Sequence, residues 1–147
     1  MIDDTDHAAV LERLLPEIAR RMFTVPPGSP LAELPNAQLK VCSLLLEGRH
    51  TMSQIGEQMN ISVSAVTQIA DRLEKAGMVT RVSDATGGDN DRRHRYLALT
   101  EFGEQLLQAR RDQRRERVAA VLAHIPPREQ EEIRAAIERL LAASREV

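Results

Sequence analysis

The chain has 147 residues, a formal net charge of −2, and 42% hydrophobic but only 2% aromatic residues. This length suits one domain with room for an added interface element, and the slight negative charge argues against nonspecific coating of nucleic acid. No apolar run approaches the roughly 18 residues of a membrane helix, and MIDDTDH at the N-terminus has no signal-peptide pattern. One cysteine excludes an internal disulfide framework. We therefore expect a cytoplasmic protein without a membrane partner.

The first third of the chain predicts two helices on either side of a linker. Apolar residues recur at helical spacing over residues 4–24, where Pro16 is expected to introduce a kink. Residues 24–35 are rich in proline and read as a linker by composition. A second apolar stripe predicts a helix over residues 36–47.

The stretch TMSQIGEQMNISVSAVTQIADRLEKAG predicts two helices joined by a short turn. Thr51 and Gln54 have the spacing of a capping box, which favours a helix start there. NIS breaks this helix, Ser62 can cap the next one through its hydroxyl, and Gly77 ends it. The pattern is that of a helix-turn-helix, in which the second helix enters the major groove of DNA.

The second of these helices carries short polar side chains away from its apolar face. Serine, threonine and glutamine side chains donate and accept hydrogen bonds, as contacts with base edges require. An ordinary solvated surface is the alternative interpretation. The predicted DNA-contacting residues of this segment are Ser62, Ser64, Ala65, Thr67, Gln68 and Arg72.

A predicted β-hairpin follows at once. MVTRVS and RHRYLALT both alternate between apolar and polar residues, and a glycine-containing polar loop separates them. A helix-turn-helix followed by a hairpin is a winged helix, so the expected fold is mainly α with a small β-hairpin wing and additional terminal helices. The loop arginines are placed to reach phosphates or a minor groove, although a charged run is often only a solvated face. The predicted wing contacts are Asn90, Asp91, Arg92 and Arg93.

The C-terminal third predicts a long helix from Thr100, a break at Pro126 and Pro127, and a final helix. The middle of the long helix, QARRDQRRER, is highly charged. The first helix and the last two have apolar faces but lie outside a compact winged-helix core. Such faces need a partner.

These elements, in this order, resemble the MarR family of bacterial transcriptional regulators. ISVSAVTQIADRLEKAGMVTR is similar to the recognition helix and first wing strand of that family, and LPNAQLKVCSLL to the helix before them. DRRHRYLALTEFG resembles the wing motif D-x-R followed by L-T-x-x-G. Asn90 stands where many members carry an arginine, which makes Arg92 the substitute. The motif positions are Asp91, Arg93, Leu99, Thr100 and Gly103.

The resemblance implies a bacterial, cytoplasmic homodimer that binds an inverted-repeat operator in double-stranded DNA. It implies an N-terminal dimerisation helix and linker over residues 1–34, a winged helix-turn-helix lobe over 35–100 and C-terminal dimerisation helices over 101–147. It further implies a repressor relieved by a small aromatic or acidic ligand. The ligand is expected near Met22, Phe23, Leu39 and Cys42.

Two alternatives stay open: a redox-sensing regulator that uses Cys42, and a winged-helix module that binds protein instead of DNA. Cys42 shares the apolar face of its helix, which favours packing, and a buried neutral thiol is inert. No nucleotide-binding or catalytic motif is present, so we expect no enzyme, no catalytic residues and no cofactor. The histidines lack metal-ligand spacing, so no metal site is expected. They are His7, His50, His94 and His124.

Overall fold

The computed structural model describes residues 4–25, 27–83 and 95–147. Within them lie six α-helices and three short β-strands. In chain order these elements are α1 (Asp4–Met22), α2 (Asn36–Leu45), β1 (His50–Thr51), α3 (Met52–Met59), α4 (Val63–Lys75), β2 (Val79–Ser83), β3 (Arg95–Leu99), α5 (Glu101–Leu122) and α6 (Pro127–Ser144), with a single 3₁₀ turn at Pro30–Glu33.

The chain forms two compact units. One contains Met1–Thr24 and Asp112–Val147, and the other contains Val25–Arg111. The second unit therefore includes α2 to β3, the predicted winged helix, together with the first half of α5. The first unit consists of α1, the second half of α5 and α6.

The core of the second unit is aliphatic. Ile55, Val66, Leu73 and Leu97 are all fully buried, as the helical and alternating patterns of the sequence predict. Leu31 is 2% exposed and belongs to the same core. The segment predicted to be a linker thus contributes one leucine to the core, which its proline-rich composition does not indicate, and its role as a linker stays a prediction.

Local signals fix the ends of the helix-turn-helix. The capping box at Thr51 is confirmed. The backbone N–H of Gln54 donates to the Thr51 hydroxyl, and the side-chain oxygen of Gln54 accepts from the backbone N–H of Thr51. Asn60 ends α3 in the left-handed region, with a φ of 55°. Gly77 does the same after α4, with a φ of 73°. The two helices are thus held at a defined turn by side-chain caps and left-handed residues.

The sheet has three antiparallel strands in the order β1-β3-β2, where the sequence predicts two. The predicted hairpin is confirmed as β2 and β3, with Val79 opposite Leu99 and Ser83 opposite Arg95. Strand β1 pairs His50 with Leu97. Two residues are too short to show alternation, which is why this strand has no signature in the sequence.

Several predicted boundaries move by one or two residues. Helix α1 ends at Met22 and α2 at Leu45, each two residues early. Helix α5 continues without a break through its charged middle to Leu122. Helix α6 begins at Pro127, a position where proline is favoured because the first helical N–H has no partner in any case.

Candidate nucleic-acid interface

Helix α4 is anchored on one side and open on the other. Val66, Ala70 and Leu73 lie one helical turn apart and are fully buried in the core. The Ser62 hydroxyl accepts a hydrogen bond from the Ala65 N–H at 3.1 Å, which confirms the predicted N-cap. The first turn, which in a helix-turn-helix contacts base edges, therefore has a fixed backbone.

The predicted contacts of α4 lie together on its accessible surface. Ser64, Thr67, Gln68 and Arg72 are exposed, whereas Ala65 is half-buried. The Thr67 hydroxyl donates to the Val63 carbonyl at 3.0 Å and so keeps its acceptor lone pairs for another donor. Gln68 offers both a donor and an acceptor.

Val63 is a further side chain of this surface and is absent from the predicted contacts. It is the first residue of α4 and is 49% exposed, although it is apolar. Val63 is apolar, so a criterion based on polar side chains does not include it. Its position in the first turn of the predicted recognition helix is the sequence signal that indicates a DNA contact. An aliphatic group here is suited to a thymine methyl.

Arg81 on β2 contacts two carboxylates of α4. Its guanidinium lies 2.5 Å from the Asp71 carboxylate and 3.5 Å from that of Glu74. The turn at Gly77 brings these groups together, and no periodicity in the sequence indicates the contact. Arg81 therefore offsets two negative charges beside the surface that carries Gln68.

Arg49 is a second basic side chain near the wing, and it lies over Tyr96 of β3. The Arg49 guanidinium stands 4.2 Å from the centre of the Tyr96 ring, a distance typical of a cation–π contact. Tyr96 is opposite Thr51 in the register of β1 and β3. The contact holds a basic side chain next to the wing strands, and Arg49 is likewise absent from the predicted contacts.

Asn90, Asp91, Arg92 and Arg93, the predicted wing contacts, lie outside the described residues. Residues 84–94 connect Ser83 to Arg95, and these two residues are paired across β2 and β3. The DNA contacts of the wing therefore stay predictions.

The predicted ligand-binding residues fall in both units. Met22 is half-buried and Phe23 is 40% exposed, and both belong to the first unit. Leu39 and Cys42 belong to the core of the second unit. Burial raises the pKa of the Cys42 thiol to about 11, so the thiol is neutral at physiological pH. The packing role predicted for Cys42 is confirmed, and ligand contacts of all four residues stay predictions.

Phe23 has a basic neighbour in its own unit. The Arg114 guanidinium lies 5.0 Å from the centre of the Phe23 ring. The Nε atom of Arg114 is buried and has no hydrogen-bond partner among the described residues. Burial also lowers the pKa of the Arg114 guanidinium. The stacked pair thus combines an aromatic surface with a donor that lacks an acceptor.

The first unit also exposes apolar side chains along two helices. Helix α6 has no buried residue, and the last turns of α5 and the first part of α6 line a groove of about 600 Å³ that includes Val118, Leu122 and Ile133. The Gln130 side chain lies in this groove and donates to the carbonyls of Leu122 and Ile125, both at 2.8 Å. The exposed apolar side chains are Leu11, Leu14, Leu15 and Ile18 on α1, and Ile133, Ile137, Leu140 and Leu141 on α6.

Two classes of site find no support in the described ranges. Residues 4–25, 27–83 and 95–147 contain no group of three or more histidine, cysteine or acidic side chains that could hold a metal ion. Among the helices of those same ranges, none is long and apolar enough to span a bilayer.

Comparisons with known proteins agree with this geometry. The profile of the MarR family matches residues 38–94. The HTH-type transcriptional regulator FarR of Neisseria gonorrhoeae is 32% identical over 107 residues, which are 72% of this chain and 70% of FarR. The HTH-type transcriptional repressor MdtR of Bacillus subtilis is 42% identical over 69 residues, 46% of this chain, so the match spans only 42% of that repressor. These names are those of regulators, in agreement with the prediction that the chain is not an enzyme.

Solved structures share the fold over nearly the whole chain. A MarR family protein from Bacillus stearothermophilus has a TM-score of 0.75 at 25% identity, covering 97% of this chain and 98% of the other. Streptococcus pneumoniae FabT, solved in complex with DNA, has a TM-score of 0.79 at 16% identity, covering 98% and 99%. The predicted winged-helix fold is confirmed.

Proposed function

The chain belongs to the MarR family of transcriptional regulators, and we propose that it is a homodimer that represses transcription by binding an inverted-repeat operator. The observation that carries this proposal is helix α4, which is anchored by a buried face, capped by Ser62, and accessible through Ser64, Thr67 and Gln68. That combination of rigid support and short polar side chains is what reading of base edges requires.

Recognition divides between two surfaces. Helix α4 enters the major groove, where Gln68 is suited to a bidentate contact with an adenine edge and Ser64 and Thr67 to single hydrogen bonds. The wing arginines, Arg92 and Arg93, contact phosphates, which supplies affinity that does not depend on sequence and decreases with salt. Two such lobes related by a two-fold axis read half-sites about one helical turn, roughly 10 base pairs, apart.

The exposed apolar helices of the first unit support the homodimer. Leu14 and Ile18 on α1 and Ile137 and Leu141 on α6 are each at least 39% exposed in a single chain. Soluble monomers seldom expose contiguous apolar surfaces of this kind. A second copy of the chain, with the same surfaces, buries them.

The stacked pair of Phe23 and Arg114 supports a small aromatic acid as the ligand. An aromatic ring would extend the stack, while a carboxylate would pair with the positive charge of the Arg114 guanidinium. A ligand that binds one conformer more tightly than another shifts the population of DNA-competent dimers. Met22, which belongs to the same unit, is a further proposed contact, and ligand contacts of Leu39 and Cys42 stay predictions.

Operator release tests the ligand proposal. Benzoate should release operator from the wild-type protein at lower concentration than benzamide, which has the same ring without the charge. Arg114→Met should remove that difference, whereas Arg21→Met, a change on the exposed end of α1, should preserve it. Equal responses of wild type and Arg114→Met to benzoate would reject Arg114 as the carboxylate contact.

A binding-site selection tests the DNA-reading proposal. Gln68→Ala should relax the preferred base at one position in each half-site, at a cost of roughly 1–3 kcal/mol in discrimination, and leave the salt dependence nearly unchanged. Arg92→Ala should do the reverse and lower the salt slope by about one, and Arg93→Ala should weaken binding further. Gln58→Ala, an exposed glutamine on α3, is the matched control. An unchanged consensus for Gln68→Ala would show that it reads no base.

The binding-site selection and a measurement of operator binding with peroxide separate the two alternative functions. A winged-helix module that binds protein would yield no enriched sequence with the wild-type chain. A regulator that senses oxidants through Cys42 would lose operator binding with peroxide in wild type but not in Cys42→Ala. The burial of Cys42 and its raised pKa leave its thiol a poor nucleophile and so argue against the oxidant-sensing alternative.

A further inference from the structure

The first turn of α5 is joined to the end of α4 by a hydroxyl shared between them. The Thr100 hydroxyl donates to the Gly77 carbonyl at 2.5 Å and accepts from the Gly103 N–H at 3.1 Å. The Thr100 N–H donates to the Met78 carbonyl at 3.0 Å. One side chain thus satisfies a carbonyl 23 residues before it and an N–H three residues after it in the chain.

Gly103 allows the close approach on which this junction depends. It is buried, and a Cβ atom added to it would lie 3.1 Å from the Met78 carbonyl carbon and overlap the Met78 carbonyl oxygen. Those neighbours are backbone atoms, which cannot rotate away. Helix α5 therefore packs directly on the backbone of Met78, and a side chain at position 103 would force the two segments apart.

The junction sits where the recognition helix ends and the wing begins. Gly77 follows α4, and Met78 is fixed to α4 by its N–H, which donates to the Leu73 carbonyl at 3.0 Å. The next residue, Val79, forms the first residue pair of the hairpin with Leu99. Contacts at Gly77 and Met78 thus connect α4, the base of the wing and the start of α5.

An ordinary N-cap would require only the bond between Thr100 and Gly103. The additional bond to Gly77 and the contact of Gly103 with Met78 contribute nothing to capping, and both act on the end of α4. We propose that Thr100 and Gly103 are positioning residues, which set the direction of α4 relative to α5 and so the angle at which α4 enters the major groove. This inference rests on the proposed function.

The effect of the junction should show in the spacing of half-sites. Helix α5 is continuous from Glu101 to Leu122, and its first half belongs to the same unit as α4. If the proposed dimer holds α5, a fixed angle between α4 and α5 should permit one separation of the two recognition helices, whereas a loosened angle should permit several. Spacing selectivity is therefore a readout that stability alone does not move.

The test compares Thr100→Val, which keeps the shape but removes the hydroxyl, with Thr100→Ser, which keeps the hydroxyl. Anisotropy titrations would use the selected operator, the same operator with one base pair added or removed between half-sites, and a single half-site. We expect Thr100→Val to reduce the preference for the native spacing by up to roughly thirtyfold, the effect of losing two hydrogen bonds of ordinary strength. Half-site affinity should stay within a factor of about two, and Thr100→Ser should restore the wild-type preference.

Gly103→Ala should have the same direction of effect, and urea denaturation of each variant reports whether it is folded. If Thr100→Val is folded and has the wild-type spacing preference, the residue is a structural cap and the inference is wrong. If the wild type has no operator preference at all, the proposed function fails instead. The two failures are thus distinguishable.

Discussion

Val63 provides a prediction about specificity that requires no hydrogen bond. Val63 is 49% exposed in the first turn of α4, so part of its apolar surface is available to a ligand. Apolar side chains at this place in a recognition helix contact the thymine C5 methyl group. We expect Val63 to contact such a methyl in each half-site, and Val63→Ala to remove that contact.

The magnitude follows from the apolar surface involved. Burial of one methyl group contributes about 0.8 kcal/mol, so losing one contact weakens binding about fourfold. A two-fold dimer makes the contact twice, which gives about 1.6 kcal/mol, or about fifteenfold. Stability should not decrease, because alanine has a higher helix propensity than valine. A lower affinity in a protein that is at least as stable would identify a DNA contact instead of a folding defect.

The assay replaces thymine by uracil, which lacks the methyl group, at one operator position at a time. Wild-type binding should weaken at one position per half-site, and Val63→Ala should bind both operators equally. Val147→Ala makes the same substitution at the exposed C-terminus and serves as the control. If Val63→Ala keeps the wild-type sensitivity to uracil at every position, Val63 contacts no thymine methyl and the interpretation of this surface is wrong.

Three further predictions concern charge, assembly and the thiol. Arg81→Gln leaves the carboxylates of α4 without their cation and should weaken DNA binding at low salt. The difference in affinity between this variant and the wild type should shrink as the Debye length falls from about 10 Å at 0.1 M to about 3 Å at 1 M salt. Arg21→Gln, which breaks an exposed ion pair on α1, should have no such effect. Ile137→Glu should convert the dimer to monomer in sedimentation experiments, and a dimer that survives this change would place the interface elsewhere. Cys42 has a folded-state pKa of about 11 against an ordinary 9.0, so its contribution to stability should be complete below pH 9 and lost as pH rises to 11. Urea titrations over that range should show the decrease in wild type and not in Cys42→Ala.

The helices and the hairpin could be predicted because they depend on short-range patterns. The buried positions Ile55, Val66 and Leu73 recur at helical spacing, and the caps at Thr51 and Ser62 occupy residues whose hydroxyls reach the first-turn amides. Such signals are complete within about ten residues of sequence, so no tertiary contact is needed to interpret them.

The features that the sequence did not predict depend on contacts between segments that are distant in the chain. Strand β1 has only two residues and exists because β3 pairs with it. Arg81 contacts Asp71 only after the turn at Gly77 has brought β2 against α4. Leu31 enters the core from a stretch whose prolines suggest a linker. In each case the deciding contact joins residues that a local pattern treats separately.

The lack of any buried residue in α6 has a consequence for the lifetime of the protein if the proposed dimer covers this helix. The stability of α6 would then depend on protomer concentration, so dilution should lower the midpoint of thermal unfolding. In a cell, newly made chains below the dissociation constant would present Leu140 and Leu141 to proteases and chaperones. Degradation would then remove mainly the unassembled fraction, and operator occupancy would rise more steeply than synthesis.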